Sequence, residues 1–61
     1  MHRLIFFCRK EPLSERYYLS YVVRFKKWTK VVDLTVPKQE DIDLMKSYGI
    51  SVVPSLVLVV S

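Results

Sequence analysis

The chain from residue 48 to residue 60 reads Tyr-Gly-Ile-Ser-Val-Val-Pro-Ser-Leu-Val-Leu-Val-Val. This order indicates a helix end, a glycine stop, a short loop and a proline that opens an apolar strand. Gly49 suits the left-handed position just past a helix C-terminus, and Ile50 can supply the apolar contact that accompanies it. Proline lacks an N–H and is confined to strand starts, edges and bulges. We therefore predict a cis Val53–Pro54 bond, which costs only about 0.5–1 kcal/mol before proline.

The rest of the chain predicts the element order β-α-β-α-β, with the following bounds. The predicted elements are a strand at Arg3–Phe7, a helix from Ser14 (as N-cap) to about Trp28, a strand at Val31–Val36, a helix starting near residues 37–41, and a last strand at Ser51–Val60. Strands that alternate with helices predict an α/β fold containing a parallel β-α-β unit.

The first predicted helix has one apolar and one basic side. The apolar side holds Tyr17, Tyr18, Tyr21, Val22, Phe25 and Trp28, and the opposite side holds Arg16, Ser20, Arg24 and Lys27. An amphipathic helix turns its apolar stripe toward the core. We therefore expect the aromatic side to be buried and the basic side to face water.

The length of 61 residues predicts a single small domain, residues 1–61. A domain of this size buries only about 60% of the surface that its unfolded chain exposes, so it usually needs a disulfide, a metal or a partner subunit. One cysteine cannot form an internal disulfide, and one cysteine with one histidine is not a standard zinc ligand set. We therefore predict no metal and no cofactor, and a second subunit is the most available support.

No targeting or membrane segment is predicted. The apolar run near the N-terminus is too short for a signal-peptide core, and the closing apolar run is far shorter than the roughly 20 residues of a membrane helix. The hydrophobic content of 51% excludes intrinsic disorder. A single cysteine fits a reducing compartment, so we expect a cytoplasmic protein.

The proline step and the sequence Val-Val-Asp-Leu-Thr at residues 31–35 resemble the thioredoxin-like superfamily. In that family the third core strand begins with an (Ile/Val/Thr)-cis-Pro-(Thr/Ser) step after a Tyr-Gly-(Val/Ile) helix end. The resemblance implies a minimal thioredoxin-like sheet, with Leu4–Phe7 as its first core strand. It also implies that the loop at Val53 and Pro54 offers backbone hydrogen bonds to extended peptides.

Two departures from the family pattern affect the predicted function. The Cys-x-x-Cys motif should fall near Glu11 and Ser14, where no cysteine occurs, so the dithiol needed for disulfide exchange is absent. The resemblance therefore places a non-catalytic binding site at Val53, Pro54, Glu11 and Ser14. The family's fourth strand and last helix are also missing, which predicts an open strand edge along Leu56–Val60 and a bare apolar sheet face.

Cys8 has two interpretations. It could act as a monothiol nucleophile, because Arg9, Lys10 and the coming helix start would lower its pKa. It could instead be a small apolar residue that closes the first strand, since free cysteine is among the most often buried types. Its position before the expected nucleophile favours the structural interpretation. Asp33, for its part, is predicted to be a strand-end or edge carboxylate.

The first half of the chain is basic and aromatic, which invites a nucleic-acid interpretation. Its cations are Arg9, Lys10, Arg16, Arg24, Lys26, Lys27 and Lys30. Single strands are bound by aromatic platforms interleaved with cations. The aromatic residues, however, fall on the helix side predicted to be core. We therefore favour a solvated basic face.

The favoured hypothesis is a non-catalytic, thioredoxin-like protein-binding module with a regulatory, adaptor or inhibitor role. A monothiol glutaredoxin-like redox protein using Cys8 is the alternative, and a small basic nucleic-acid-binding protein is the second alternative. The predicted partner is a protein, with a homodimer as the simplest case. The predicted interface residues are Tyr17, Tyr21, Phe25, Trp28, Leu56, Val57, Leu58 and Val59.

Overall fold

A three-stranded mixed sheet organises the chain, and the computed structural model describes residues 3–59. The strands are β1 (Leu4–Cys8), β2 (Thr29–Asp33) and β3 (Ser55–Leu58), in the spatial order β2-β1-β3. β1 pairs in parallel with β2 and antiparallel with β3. The predicted α/β class and the parallel pairing of the first two strands are confirmed.

A helical segment joins β1 to β2, and its helix type changes twice along its length. It consists of α1 (Pro12–Tyr17), a π-helical turn (Tyr18–Val22) and a 3-10 stretch (Val23–Trp28). Within the last stretch, Phe25 departs from helical geometry at φ −114° and ψ 23°. The Thr29 hydroxyl donates a hydrogen bond to the Phe25 carbonyl oxygen at 2.7 Å, which marks the end of the segment. We call residues 12–28 the first helical segment.

The predicted N-cap at Ser14 is wrong, because the first helical segment begins at Pro12. Glu11 occupies the N-cap position without a side-chain cap, and the fixed φ of Pro12 is pre-organised for a first helical turn. Ser14 is buried. Its Oγ accepts a hydrogen bond from the Arg9 N–H at 3.1 Å and donates one to Glu11 Oε1 at 3.4 Å. The Ser14 side chain thus fastens the preceding loop to the helix.

The prediction that the whole aromatic stripe faces the core is also wrong. Val22 is buried, and Tyr18 is half-buried with its ring centroid 6.3 Å from that of Phe6. Four other members of the stripe are between 42% and 58% exposed: Tyr17, Tyr21, Phe25 and Trp28. The prediction assumed one α-helical period throughout. The π-helical and 3-10 turns have different periods, so they rotate these side chains out of the stripe.

β2 lies nearer the N-terminus than the predicted strand at Val31–Val36. It starts at the buried Thr29 and ends at Asp33, whose carboxylate accepts a hydrogen bond from the Thr35 N–H at 2.9 Å. A side-chain turn of this kind offers the backbone an alternative to the sheet ladder. It therefore ends the strand, although the β-branched pattern continues to Val36.

The stop at Gly49 is confirmed. α2 spans Gln39–Ser47, and Gly49 has φ 67° just beyond its C-cap. The Gly49 N–H donates to the Lys46 carbonyl oxygen at 3.0 Å, and the Ile50 N–H donates to the Met45 carbonyl oxygen at 3.1 Å. These two bonds form a Schellman motif, which requires a left-handed residue at this position.

Gly49→Ala should destabilise the chain through backbone conformation alone. No atom lies within 4 Å of the position that a Cβ would take, so no clash is expected. The left-handed backbone costs an L-residue about 1–2 kcal/mol, and Asn tolerates it better than Ala. Urea unfolding should therefore rank the free energy of unfolding as Gly49 above Asn above Ala. An alanine variant as stable as the parent would contradict this assignment.

The two faces of the sheet are covered by different helices. Four buried residues form a core cluster on one face: Ile5, Phe7, Val32 and Leu34. Leu44 and Met45 of α2 pack against this cluster, so we call it the α2 face. Side chains alternate along a strand, so Phe6 lies on the opposite face, where Tyr18 contacts it. We call that opposite face the α1 face.

The last strand is shorter than the predicted Ser51–Val60. Residues 51–54 form a loop in which the Val53–Pro54 peptide bond is cis, and β3 begins at Ser55. The Ser55 hydroxyl donates a hydrogen bond back to the Val52 carbonyl oxygen, which closes this loop. Val60, the last residue of the predicted strand, lies outside the described residues.

Candidate functional site

A hollow of about 330 Å³ lies between the end of β1 and the start of the first helical segment. Cys8, Glu11 and Ser14 are among its lining residues. Val53, by contrast, packs against the core cluster of the α2 face. The structure therefore brings two of the predicted binding residues into one cavity and leaves Val53 and Pro54 outside its lining.

The thiol of Cys8 is not activated by its surroundings. Its Sγ donates a hydrogen bond to the Val32 carbonyl oxygen at 3.6 Å, and the side chain is half-buried. Burial, and then the Asp33 carboxylate, raise the pKa of the Cys8 thiol above its usual value. The expected lowering of this pKa by Arg9 and Lys10 is therefore wrong, and a raised pKa disfavours the thiolate that the nucleophile interpretation needs.

Asp33 ends β2 directly opposite Cys8 in the parallel register, which confirms its predicted place at a strand end. Hydrogen bonds from Thr35 hold the pKa of the Asp33 carboxyl below its usual value, and the nearby charge of Lys10 acts in the same direction. The carboxylate is therefore ionised at neutral pH. Its negative charge opposes formation of a thiolate at Cys8.

Cys8 should react slowly with alkylating reagents. A raised pKa leaves less thiolate at neutral pH, and the thiolate is the reactive form. Iodoacetamide should modify the folded chain more slowly than the urea-unfolded chain at every pH up to the thiol's pKa. Asp33→Asn should speed the reaction of the folded chain, because it removes a charge that raises the pKa of Cys8. Folded Cys8 alkylating faster than the unfolded thiol would reverse this assignment.

A second concavity, of about 540 Å³, lies on the α1 face beside β3. We call it the apolar groove, and its lining consists of Arg3, Leu4, Phe25, Trp28, Leu56 and Leu58. Four of the predicted interface residues meet here, namely the two aromatic residues and the two leucines of β3. This is the largest gathering of predicted site residues among residues 3–59.

The other four predicted interface residues lie elsewhere. Tyr17 and Tyr21 contact each other, with ring centroids 5.4 Å apart, and are exposed earlier on the first helical segment. Val57 and Val59 point to the α2 face and pack against its core cluster. Because side chains alternate along a strand, the sequence could have predicted that Val57 and Val59 lie on the opposite sheet face from Leu56 and Leu58. The loss of α-helical winding could not have been read from the apolar pattern.

Two residues of the apolar groove, Arg3 and Leu4, were not among the predicted interface residues. Leu4 shares the α1 face with Phe6, because the two are separated by one residue in β1. It lies opposite Leu58 in the antiparallel register. The alternation of side chains along β1 could have placed Leu4 on this face. The sequence alone did not show, however, that β3 is the strand that lies beside β1 there.

The backbone of β3 leaves one edge open within residues 3–59. In an antiparallel ladder, successive residues alternate between bonding to the neighbouring strand and pointing away from it. The Val59 N–H donates to the Arg3 carbonyl oxygen at 2.8 Å, so the odd-numbered residues of β3 bond to β1. The N–H and C=O groups of Leu56 and Leu58 therefore point outward. No other strand of the described part of the chain pairs with them.

The two free edges of the sheet differ in charge. β2 carries exposed Lys30 and Asp33, and Lys38, Glu40 and Asp41 line a hollow beside it. Charged side chains protect an edge strand against pairing with another chain. β3 reads Ser-Leu-Val-Leu and has no charge along its length. Within residues 3–59, only the β3 edge combines open backbone groups with an apolar surface.

Comparisons with known proteins give no relative from which the site could be assigned. No protein-family model, curated protein or solved structure matches this chain. Among residues 3–59, His, Cys, Asp and Glu side chains form no group of three that could hold a metal ion. In the same part of the chain, no helix has the length and apolar character to cross a membrane.

Proposed function

We propose that this chain is a non-catalytic protein-binding module with a thioredoxin-like arrangement, acting as a regulator, adaptor or inhibitor. The main support for this proposal is the apolar groove, which lies beside the open and uncharged edge of β3. The order of strands and helices, with Pro54 just before the last strand, supports the thioredoxin-like part.

The proposed binding mode is addition of an extended segment to the β3 edge. The outward N–H and C=O groups of Leu56 and Leu58 would bond to the backbone of the added segment. Every second side chain of that segment would lie over the apolar groove, against Phe25 and Trp28. Backbone pairing gives affinity in this mode, and the groove gives a preference for apolar side chains.

The lack of catalysis in this proposal follows from the chemistry around Cys8. A resolving cysteine is missing from the sequence, and the pKa of the Cys8 thiol is raised by burial and by Asp33. A monothiol mechanism needs a thiolate at neutral pH, which this environment disfavours. The apolar groove also lies at β3, whereas Cys8 lines the separate hollow beside β1.

A random library of extended peptides, displayed on phage and selected on the immobilised chain, tests the proposal. We expect selected peptides to be apolar at alternate positions and to lose binding to Leu58→Lys. Val31→Lys is the matched control, because Val31 is an exposed valine on the other edge strand. Peptides that bind both variants equally, or a library that yields no binders, would count against the proposal.

A second candidate function, nucleic-acid binding, is favoured by one specific observation. Tyr17 and Tyr21 are exposed, and the cations Arg16 and Arg24 lie exposed on the same helical segment. Burial of these aromatic residues was the main objection to this function, and the structure removes it. Binding of single-stranded nucleic acid would weaken steeply as the salt concentration rises, and it would require the two tyrosines as stacking platforms for the bases. Fluorescence anisotropy of a labelled oligothymidylate against Tyr21→Ala measures both effects.

A further inference from the structure

We propose that the segment added to the β3 edge is β3 of a second copy of this chain, paired antiparallel about a two-fold axis at Val57. This inference rests on the proposed function and names the partner of the same site. It joins the two sheets into one of six strands, in the order β2-β1-β3 followed by the partner's β3-β1-β2.

The choice of a second copy follows from the character of the edge. A two-fold interface is self-complementary, so each strand must accept its own sequence. β3 meets this condition because it has no charge to oppose itself, and its neighbours Pro54 and Val59 are also uncharged. At the other edge of the sheet, a copy of β2 would bring its exposed charged side chains into the contact.

The register follows from the direction of the backbone groups. The outward residues Leu56 and Leu58 must form the hydrogen-bonded pairs across the new contact. Pairing Leu56 with the partner's Leu58 places the axis at Val57, and both outward residues of each strand then form hydrogen-bonded pairs. A register centred on Leu56 would place Leu58 opposite the partner's Pro54, which has no N–H, and one centred on Leu58 would place Leu56 opposite residue 60, beyond the end of β3. The central register therefore makes the most hydrogen bonds.

This register also joins the two apolar grooves. Residues directly opposite in an antiparallel pair project to the same side of the sheet. Leu56 and the partner's Leu58 therefore meet on the α1 face, beside Phe25 and Trp28 of each protomer. Val57 meets the partner's Val57 on the α2 face. The leucines, which are 41% and 67% exposed in the single chain, gain apolar neighbours in this pairing.

The size of the contact predicts a weak dimer. Phe25 and Trp28 are about half exposed, which leaves roughly 100 Å² of each available. With the leucines and the strand edge, each protomer offers on the order of 500 Å². Two copies therefore reach about 1,000 Å², the lower end for a specific interface. We expect dissociation in the micromolar range.

The salt dependence of this dimer should differ from that of nucleic-acid binding. Each chain carries a net charge of +4, so two copies repel each other at long range. Added salt screens this repulsion and has little effect on the apolar pairing of the two β3 strands. The dimer should therefore strengthen with salt, whereas binding to a polyanion should weaken.

Disulfide cross-linking in a Cys8→Ser background tests the partner and the register together. In the proposed register, the two Val57 Cα atoms form a non-hydrogen-bonded pair about 4.5 Å apart, which a disulfide can bridge. The two Leu58 Cα atoms would be offset along the strands by two residues, roughly 8 Å apart, which is beyond disulfide reach. Val57→Cys should cross-link at least tenfold faster than Leu58→Cys under mild oxidation.

Val57→Cys and Leu58→Cys form a matched pair, because the solvent exposure of the two side chains alone would predict the opposite order of cross-linking rates. Leu58 is exposed and Val57 is half-buried, so random collision would cross-link the Leu58→Cys chain faster. Equal rates, or faster cross-linking at Leu58→Cys, would overturn the register. Sedimentation equilibrium should show a dimer for the parent and Val31→Lys chains and a monomer for Leu58→Lys.

The outcomes separate this inference from the proposed function. A parent chain that stays monomeric at high micromolar concentration would overturn self-pairing. The proposed function would still stand if selected peptides bind and lose affinity for Leu58→Lys. A dimer that persists in Leu58→Lys would place self-association on another surface and overturn the inference. If the lysine variant aggregates, the cross-linking comparison decides, because it introduces no charge.

Discussion

Phe7→Ala is expected to lower the free energy of unfolding by about 3–5 kcal/mol. Phe7 is 0% exposed, lies on the central strand and belongs to the core cluster of the α2 face. Truncation of a buried phenylalanine costs about 3–5 kcal/mol. A chain of this length has a free energy of unfolding of about 3–9 kcal/mol, at 0.05–0.15 kcal/mol per residue. The substitution therefore removes at least about a third of the available stability. Urea unfolding followed by circular dichroism measures this loss.

Val36→Ala is the control for this prediction. Val36 is 80% exposed and follows the turn that ends β2, so its truncation should change the free energy of unfolding by less than about 0.5 kcal/mol. A Phe7→Ala chain that loses less than about 1 kcal/mol would show that the α2 face does not provide the main core.

Trp28→Ala is expected to weaken protein binding at least 30-fold, measured with a selected peptide by fluorescence polarisation. Trp28 lines the apolar groove and is half exposed, so its free side is available to a partner. Buried tryptophans at interface centres contribute about 2 kcal/mol or more when truncated, which corresponds to about 30-fold in affinity. The loss should appear mainly in the dissociation rate.

Tyr21→Ala separates this effect from a general loss of aromatic surface. Tyr21 is exposed to a similar extent on the same helical segment, but it contacts Tyr17 and does not line the apolar groove. Its truncation should change peptide affinity less than twofold. Equal losses for Trp28→Ala and Tyr21→Ala would move the binding face toward the tyrosines. Unfolding curves of both variants show whether either change acts through stability.

Local signals of backbone chemistry predicted the fold well. Gly49 was expected in the left-handed position, and the structure places it there with both hydrogen bonds of its motif. Pro54 was expected to open the last strand, which begins at the next residue. Pro54 fixes its own φ angle, and Gly49 allows the positive φ that other residues avoid. Both effects act at the residue itself, so neighbours far away in the sequence have little influence on the outcome.

Predictions that assumed a regular repeat of apolar residues were wrong where the backbone left α-helical or β-strand geometry. The apolar stripe of the first helical segment assumed α-helical turns, but these end at Tyr17. β2 was placed too far along the chain because β-branched residues continue past it. Asp33 ends the strand through its bond to Thr35, an interaction that competes with the ladder and that a propensity pattern does not contain.

The candidate site could be predicted only in part for the same reason. Leu56 and Leu58 were expected at an open edge, and the structure leaves that edge unpaired within residues 3–59. The apolar groove also needs Trp28 to lie exposed beside β3, and this follows from the 3-10 winding of the helix end. The raised pKa of the Cys8 thiol required knowing that the side chain is partly buried and that Asp33 lies opposite it in the sheet.

The central claim is that the apolar groove beside β3 is the surface at which this chain binds protein. Trp28 is the single tryptophan of the chain, so its fluorescence reports on that surface alone. We expect its emission to shift to shorter wavelength, and its quenching by acrylamide to fall, as a partner strand binds. The measurement is a titration with a selected peptide and, separately, with rising concentration of the chain itself. Complex formation that leaves both the emission and the quenching of Trp28 unchanged would contradict the claim.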